Sequence, residues 1–130
     1  MSNLLIEMGN TALKATWAEG ETLGKTIRYQ GEKTIEFIQH LTERERPDVL
    51  VLASVRDISA QDEVVLSSVC RQLVLIDKNH LEILRAYGIP EFLSPDRAAG
   101  ILSARRLFSG KACTIFDFGT ILSVDFIDSD

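Results

Sequence analysis

A chain of 130 residues, 45% apolar and 25% charged, is long enough for one hydrophobic core of ordinary size. No apolar run approaches the roughly 20 residues needed to cross a bilayer, and the start Met-Ser-Asn-Leu-Leu-Ile-Glu lacks the basic, then apolar, character of a signal peptide, so a membrane partner is excluded and a cytoplasmic location is expected. The net charge of −5 makes nucleic acid an unfavoured partner.

In chain order, the apolar run Leu4-Leu5-Ile6, the turn Glu7-Met8-Gly9-Asn10-Thr11 and the alternating stretch Ala12 to Trp17 read as strand, tight turn, strand. Ala18-Glu19-Gly20-Glu21 turns the chain again, and Thr22 to Tyr29 is expected to return as a third strand, completing an antiparallel meander. Ile35, Ile38 and Leu41 repeat at helical spacing from about Lys33 to Arg44, and Pro47 stops that helix. Val49-Leu50-Val51-Leu52-Ala53 is continuously apolar, as a strand covered on both faces would be. A second helix is expected from about Gln61 to Leu73, then a strand from Leu73 to Ile76. The segment up to Tyr87-Gly88-Ile89-Pro90 carries no clear pattern. Ala98, Ile101, Leu102 and Phe108 outline a third helix, and Lys111 to Phe116 opens a new strand. A meander followed by strand–helix crossovers predicts an α/β fold with a mixed sheet flanked by helices.

Cys70, in the second predicted helix, and Cys113, in a predicted strand, have neither Cys-x-x-Cys spacing nor a nearby histidine pair, so they read as buried free thiols rather than zinc ligands. His40 and His80 stand apart from any nucleophile motif.

The informative feature is an internal echo. Ile6-Glu7-Met8-Gly9-Asn10-Thr11 is matched by Phe116-Asp117-Phe118-Gly119-Thr120: each is an apolar strand ending in acid-x-Gly and reaching threonine within two residues. Glycine lets a phosphate approach the backbone, amides and the threonine hydroxyl donate to it, and the acid can hold Mg²⁺ or its waters. Alone, either string also describes an ordinary β-turn. Two such hairpins facing each other could grip one triphosphate. Lys14, three residues beyond Thr11, is either a phosphate-reaching cation or a solvated surface lysine; Asp125 is either a further metal-facing acid or, the favoured reading, a polar residue on an alternating strand. In the third helix Ser94 suits the N-cap, Pro95 the first helical position and Asp96 the positive end of the dipole. Asp96-Arg97 also sets a base beside a fixed cation, which suits a hydroxyl substrate bearing a carboxylate.

On these residues the chain resembles the type III pantothenate kinases, members of the acetate kinase, sugar kinase, Hsp70 and actin superfamily. The family's Asp-x-Gly-Asn-Thr loop and following lysine are met by Glu7, Gly9, Asn10, Thr11 and Lys14; its Tyr-x-x-Pro and Gly-x-Asp-Arg by Tyr87, Pro90, Ser94, Asp96 and Arg97; and its Asp-x-Gly-Thr-Ala by Asp117 to Ile121. Glu7, Ser94 and Ile121 depart from that pattern, standing where it has aspartate, glycine and alanine. The resemblance implies a ribonuclease H-like (actin-like ATPase) domain over residues 1–110 and the beginning of a second over 111–130, the chain stopping just after its second half has begun. It implies ATP-dependent phosphorylation of pantothenate in coenzyme A biosynthesis, by an N-terminal half expected to be inactive alone. Glu7, Gly9, Asn10, Thr11, Lys14 and Thr120 would then bind ATP, with Glu7 near Mg²⁺. Asp117 would hold a monovalent cation (K⁺ or NH₄⁺). Tyr87, Ser94, Pro95, Asp96 and Arg97 would contact pantothenate, with Asp96 as proton acceptor. A homodimer is implied as well. The alternative is a non-catalytic binding or regulatory module, accessory-transcription-factor-like, on the same fold. A protein kinase, suggested by Asp117-Phe118-Gly119, is excluded because the Gly-rich and His-Arg-Asp loops are absent.

Overall fold

Strand β1 (Asn3–Met8) alternates between two environments, and that alternation organises the computed structural model, which describes residues 2–129. Leu4, Ile6 and Met8 are buried in one core, while Leu5 and Glu7 line the opposite side of the sheet. The elements that follow are β2 (Leu13–Glu19), β3 (Thr22–Leu23), β4 (Ile27–Tyr29), α1 (Thr34–Leu41), β5 (Val49–Ser54), α2 (Ala60–Ser68), β6 (Gln72–Ile76), α3 (Glu82–Ala86), α4 (Pro95–Leu107), β7 (Cys113–Phe118) and β8 (Leu122–Ile127). The main sheet runs β3-β2-β1-β5-β6, with β4 also paired to β2. Its β1–β2 pairing is antiparallel, and β1–β5 and β5–β6 are parallel. This is the mixed sheet expected from the sequence.

Both faces of the sheet are covered. Leu50 and Leu52 of β5 join Ile38 of α1 and Leu66 of α2 in one core. Ala53 and Ile76 meet Ala98, Ile101 and Ala104 of α4 and Ile127 of β8 in the other. The central position of β5 explains its unbroken apolar run: burying each such aliphatic side chain contributes about 1.5–3 kcal/mol.

The third strand differs from the continuous one expected. Its pairs Ala18↔Leu23 and Ala15↔Ile27 are out of step by one residue, so the strand bulges between them. There the Gly24 amide donates to the Trp17 carbonyl (2.8 Å) and Thr16 Oγ1 donates to the Gly24 carbonyl (3.1 Å). Helix α2 stops at Ser68 rather than Leu73, because Arg71 and Gln72 donate their amides to Pro47 and Asp48 and so begin the next strand. Cys70 therefore lies just past the helix; it is buried, and desolvation pushes its thiol pKa up. Helix α2 is capped by Ser59 Oγ, which accepts from the Asp62 amide at 3.0 Å. Ser59→Ala is expected to cost about 1 kcal/mol in urea unfolding. Ser94, at the N-cap of α4 but with no side-chain capping bond, should cost much less when changed to alanine.

The segment without a clear pattern contains α3, which ends where Gly88 adopts φ +65° and the Ile89 amide donates to the Leu84 carbonyl (2.8 Å). Ahead of it, Asp77 is buried and its Oδ1 accepts from the Asn79 amide (2.9 Å) and lies 2.7 Å from His80 Nδ1; His80 Nε2 stands 3.4 Å from Glu63 of α2. The bond to Asp77 raises the His80 pKa, with smaller contributions from Glu63 and Glu82. Because the folded pKa lies above the unfolded one, this bond stabilises fully below about pH 6.5 and fades as pH rises through the raised value. His80→Gln should therefore lose about 1 kcal/mol in urea melts at pH 5.5 and less at pH 9.

Strands β7 and β8 form a separate two-stranded sheet. Cys113, Ile115 and Ile127 turn toward α4, whereas Phe116, Phe118, Leu122, Val124 and Phe126 form an outward apolar face that is half or more exposed. Among the described residues no helix is long and apolar enough to cross a membrane.

Candidate active site

The two echoed loops meet. Thr11 Oγ1 of the β1–β2 turn lies 3.5 Å from Thr120 Oγ1 of the β7–β8 turn, although 109 positions separate them in the chain. Each loop's acid sits second from the end of its strand, Glu7 in β1 and Asp117 in β7. Strand alternation turns both onto the α4 side of the main sheet, where they line one cleft of about 580 Å³. Lys14, directly opposite Glu7 in the β1–β2 register, and Asp96, in the first turn of α4, line it too. Four elements thus supply three carboxylates and one ammonium to a single cavity.

The glycines of the two loops serve different ends. At Gly9, whose amide donates to the Ala12 carbonyl (2.9 Å), a Cβ would come within 3.3 Å of that same oxygen, so the turn itself favours glycine. At Gly119 a Cβ would meet nothing closer than 3.7 Å and the φ is not positive, so the turn makes no such demand. Close approach of a ligand remains as a reason for glycine there. Thr11 and Thr120 are both exposed at the loop tips, as is Asn10.

Helix α4 begins with Ser94 in extended conformation and Pro95 at its first position. Asp96 Oδ1 is buried without a hydrogen-bond partner, one of two such side-chain oxygens among the described residues; the other is Asp77 Oδ2. An orphaned carboxylate oxygen beside a cleft is an acceptor waiting for a donor. Ser94 and Pro95 line a second, smaller cavity of about 280 Å³ at the carboxyl ends of β5 and β6, together with Ser54, Arg56, Asp77 and Glu91. A groove of about 480 Å³ between α4 and β7 is lined by no ionisable side chain except Cys113 and offers no comparable chemistry.

Two residues singled out from the sequence are placed otherwise. Arg97 forks onto Asp125 of β8, with Nε 3.1 and 3.0 Å from the two carboxylate oxygens and Nη2 also on Oδ1. Its pKa is raised by that hydrogen bonding. Asp125 is thus more than a polar residue on an alternating strand: only 11% exposed, it fastens the hairpin to α4. Tyr87 is exposed at the end of α3 and lines none of the three cavities, its backbone carbonyl accepting from Arg105 Nη1 at 2.8 Å. Arg56 escaped sequence reasoning, because an arginine just after an apolar strand carries no motif signal; it donates to the backbone of the first loop.

The donor set also bears on metals. Among the described residues no three histidine, cysteine or acidic side chains converge as a metal cage. The cleft nevertheless carries formally two negative charges in excess, so a polyphosphate would enter it only with cations. That fits magnesium, which is usually held by one or two carboxylates together with substrate phosphates.

The model of the family described as "Type III pantothenate kinase" matches residues 3–130. Among curated proteins, a type III pantothenate kinase of Bacteroides fragilis is 24% identical over 128 residues, covering 98% of this chain and 52% of the relative. That of Cytophaga hutchinsonii is 29% identical over 127 residues, covering 98% and 52%. The chain thus spans about half the length of the curated relatives it matches. Among solved structures, the ROK hexokinase of Thermus thermophilus matches with a TM-score of 0.59 at 13% identity, over 98% of this chain and 46% of that one. This likeness bears out the α/β, actin-like ATPase fold.

Proposed function

We propose, from the premise that the chain belongs to the type III pantothenate kinase family, that it supplies the phosphate loops and the proton acceptor for ATP-dependent phosphorylation of pantothenate. One observation carries this reading: Glu7, Lys14, Asp96 and Asp117 line one cleft, and the threonines of the two loops that follow Glu7 and Asp117 lie 3.5 Å apart. In phosphoryl transfer most of the catalysis is alignment and charge neutralisation. The amides and hydroxyls of Asn10, Thr11 and Thr120 bind the phosphates, with Gly9 shaping the first turn, and Lys14 adds a cation. Glu7 would hold Mg²⁺, which supplies charge neutralisation on the phosphates; Asp117 is the ligand this reading assigns to a monovalent cation, K⁺ or NH₄⁺. Asp96 orients the pantothenate hydroxyl and accepts its proton. The hydroxyl oxygen bonds to the γ-phosphorus as the bond from that phosphorus to the bridging oxygen breaks, and ADP leaves.

Ser94 and Pro95 border the smaller cavity beside Asp96, which supports placing pantothenate there. Residues 1–110 form the first ribonuclease H-like domain in this reading and 111–130 open the second; the remaining walls come from the half of the relatives that this chain does not span. A homodimer, checked by sedimentation velocity, and a cytoplasmic location belong to the same reading. The test is to titrate the chain with MgATP, then to co-express it with the C-terminal half of a relative and measure pantothenate-dependent ADP release. Turnover that requires pantothenate is the expected result. The Arg97–Asp125 fork favours the second reading, a non-catalytic module, since Arg97 is already engaged by a carboxylate of its own chain. Nucleotide binding without pantothenate-dependent turnover in the completed protein would decide for it.

A further inference from the structure

Arg56 follows β5, and its side chain crosses to the first loop. Its Nε donates to the Gly9 carbonyl at 2.8 Å and its Nη2 to the Asn10 carbonyl at 3.2 Å. The residue is itself held in place. Its amide donates to Ser54 Oγ (3.1 Å), that hydroxyl donates back to the Arg56 carbonyl (2.8 Å), and the neighbouring Val55 amide donates to the Met8 carbonyl (3.1 Å). Ser54 is buried, so the bracket stands on a rigid strand end.

We infer that Arg56 is the positioning residue of the first phosphate loop, its guanidinium bridging two successive carbonyls so that the Gly9–Thr11 turn keeps one conformation. Three features support it. A turn with exposed Asn10 and Thr11 has few packing contacts to hold it, so hydrogen bonds must. The planar fork of an arginine can span two acceptors at once, whereas a lysine ammonium is a single point donor. The guanidinium charge beside the loop backbone also favours an anion bound to that loop. Arg56 also lines the smaller cavity, but it touches no reacting atom in this scheme, and its effect on MgATP runs through the loop backbone. The inference rests on reading residues 9–11 as a phosphate loop.

Its test compares the 130-residue chain with its Arg56→Met and Arg56→Lys variants by amide hydrogen exchange and by MgATP titration followed in amide NMR shifts. Both variants should exchange the Gly9 amide, which donates to the Ala12 carbonyl across the turn, at least about tenfold faster, with the amides of β5 and α2 unchanged. Both should also weaken MgATP about tenfold. Lysine should fail to rescue, which separates a bidentate brace from a mere positive charge. Unchanged loop exchange in Arg56→Met would overturn the inference, as would full rescue by lysine. If the wild-type chain binds no MgATP, the phosphate-loop reading falls, while the exchange comparison still decides whether Arg56 braces the turn.

Discussion

Asp96→Asn is expected to lower pantothenate-dependent ADP release by roughly 10²–10⁴-fold in the chain completed by a C-terminal half, while leaving MgATP affinity within about twofold. The expectation rests on position and on the orphaned oxygen. Asp96 stands in the first turn of α4, where the helix dipole favours its charge, and its buried Oδ1 has no partner in the chain. Asparagine keeps the shape of the side chain and removes the ability to accept a proton. Alignment would survive in part, so the loss should fall on kcat rather than on the KM for ATP. Unchanged turnover would remove Asp96 from the mechanism without touching the two loops.

Arg97→Met should destabilise the protein by about 2 kcal/mol in urea unfolding, because it leaves the Asp125 carboxylate nearly buried and unpaired. A fully buried pair would lose more, but the Arg97 side chain is 33% exposed and water can take up part of the deficit. The β7–β8 hairpin touches the rest of the molecule mainly through α4, so its detachment should come first, read as faster amide exchange in residues 113–127 before any change in β1 or β5. Pairing Arg97→Met with Asp125→Leu should recover much of the loss, since two apolar residues leave no orphaned charge. Equal destabilisation in the single and double variants would mean that the fork contributes through packing alone. The hairpin carries Asp117 and Thr120, so this ion pair also fixes where the second loop meets the first.

The main sheet was largely legible from the sequence because its signals are local. Period-2 alternation in β1 and the unbroken apolar run of β5 each announce their own burial, and Pro47 and Pro95 mark helix boundaries. The missed details depend on partners distant in the chain. The bulge at Gly24 exists because Trp17 and Thr16 bond to it across the sheet, and α2 stops early because Pro47 and Asp48 take the amides that would have continued the chain as helix. Helix α3, of five residues and with a single buried side chain, has too little apolar pattern to be read.

The same division holds for the site. The sequence by itself determined the chemistry available: two acid-x-Gly loops ending in threonine, a lysine after the first, and an acid at a helix start, because residue type and spacing along one element are local properties. Tertiary structure alone decided which of these groups share a cavity. Packing α4 and the β7–β8 hairpin on the sheet face opposite α1 and α2 gathered Glu7, Lys14, Asp96 and Asp117, left Tyr87 outside and closed Arg97 onto Asp125. It also set Arg56 beneath the first loop, across 46 positions of chain. Such pairings follow from the strand order and from the length and direction of each side chain in three dimensions, and no spacing within a single motif encodes them.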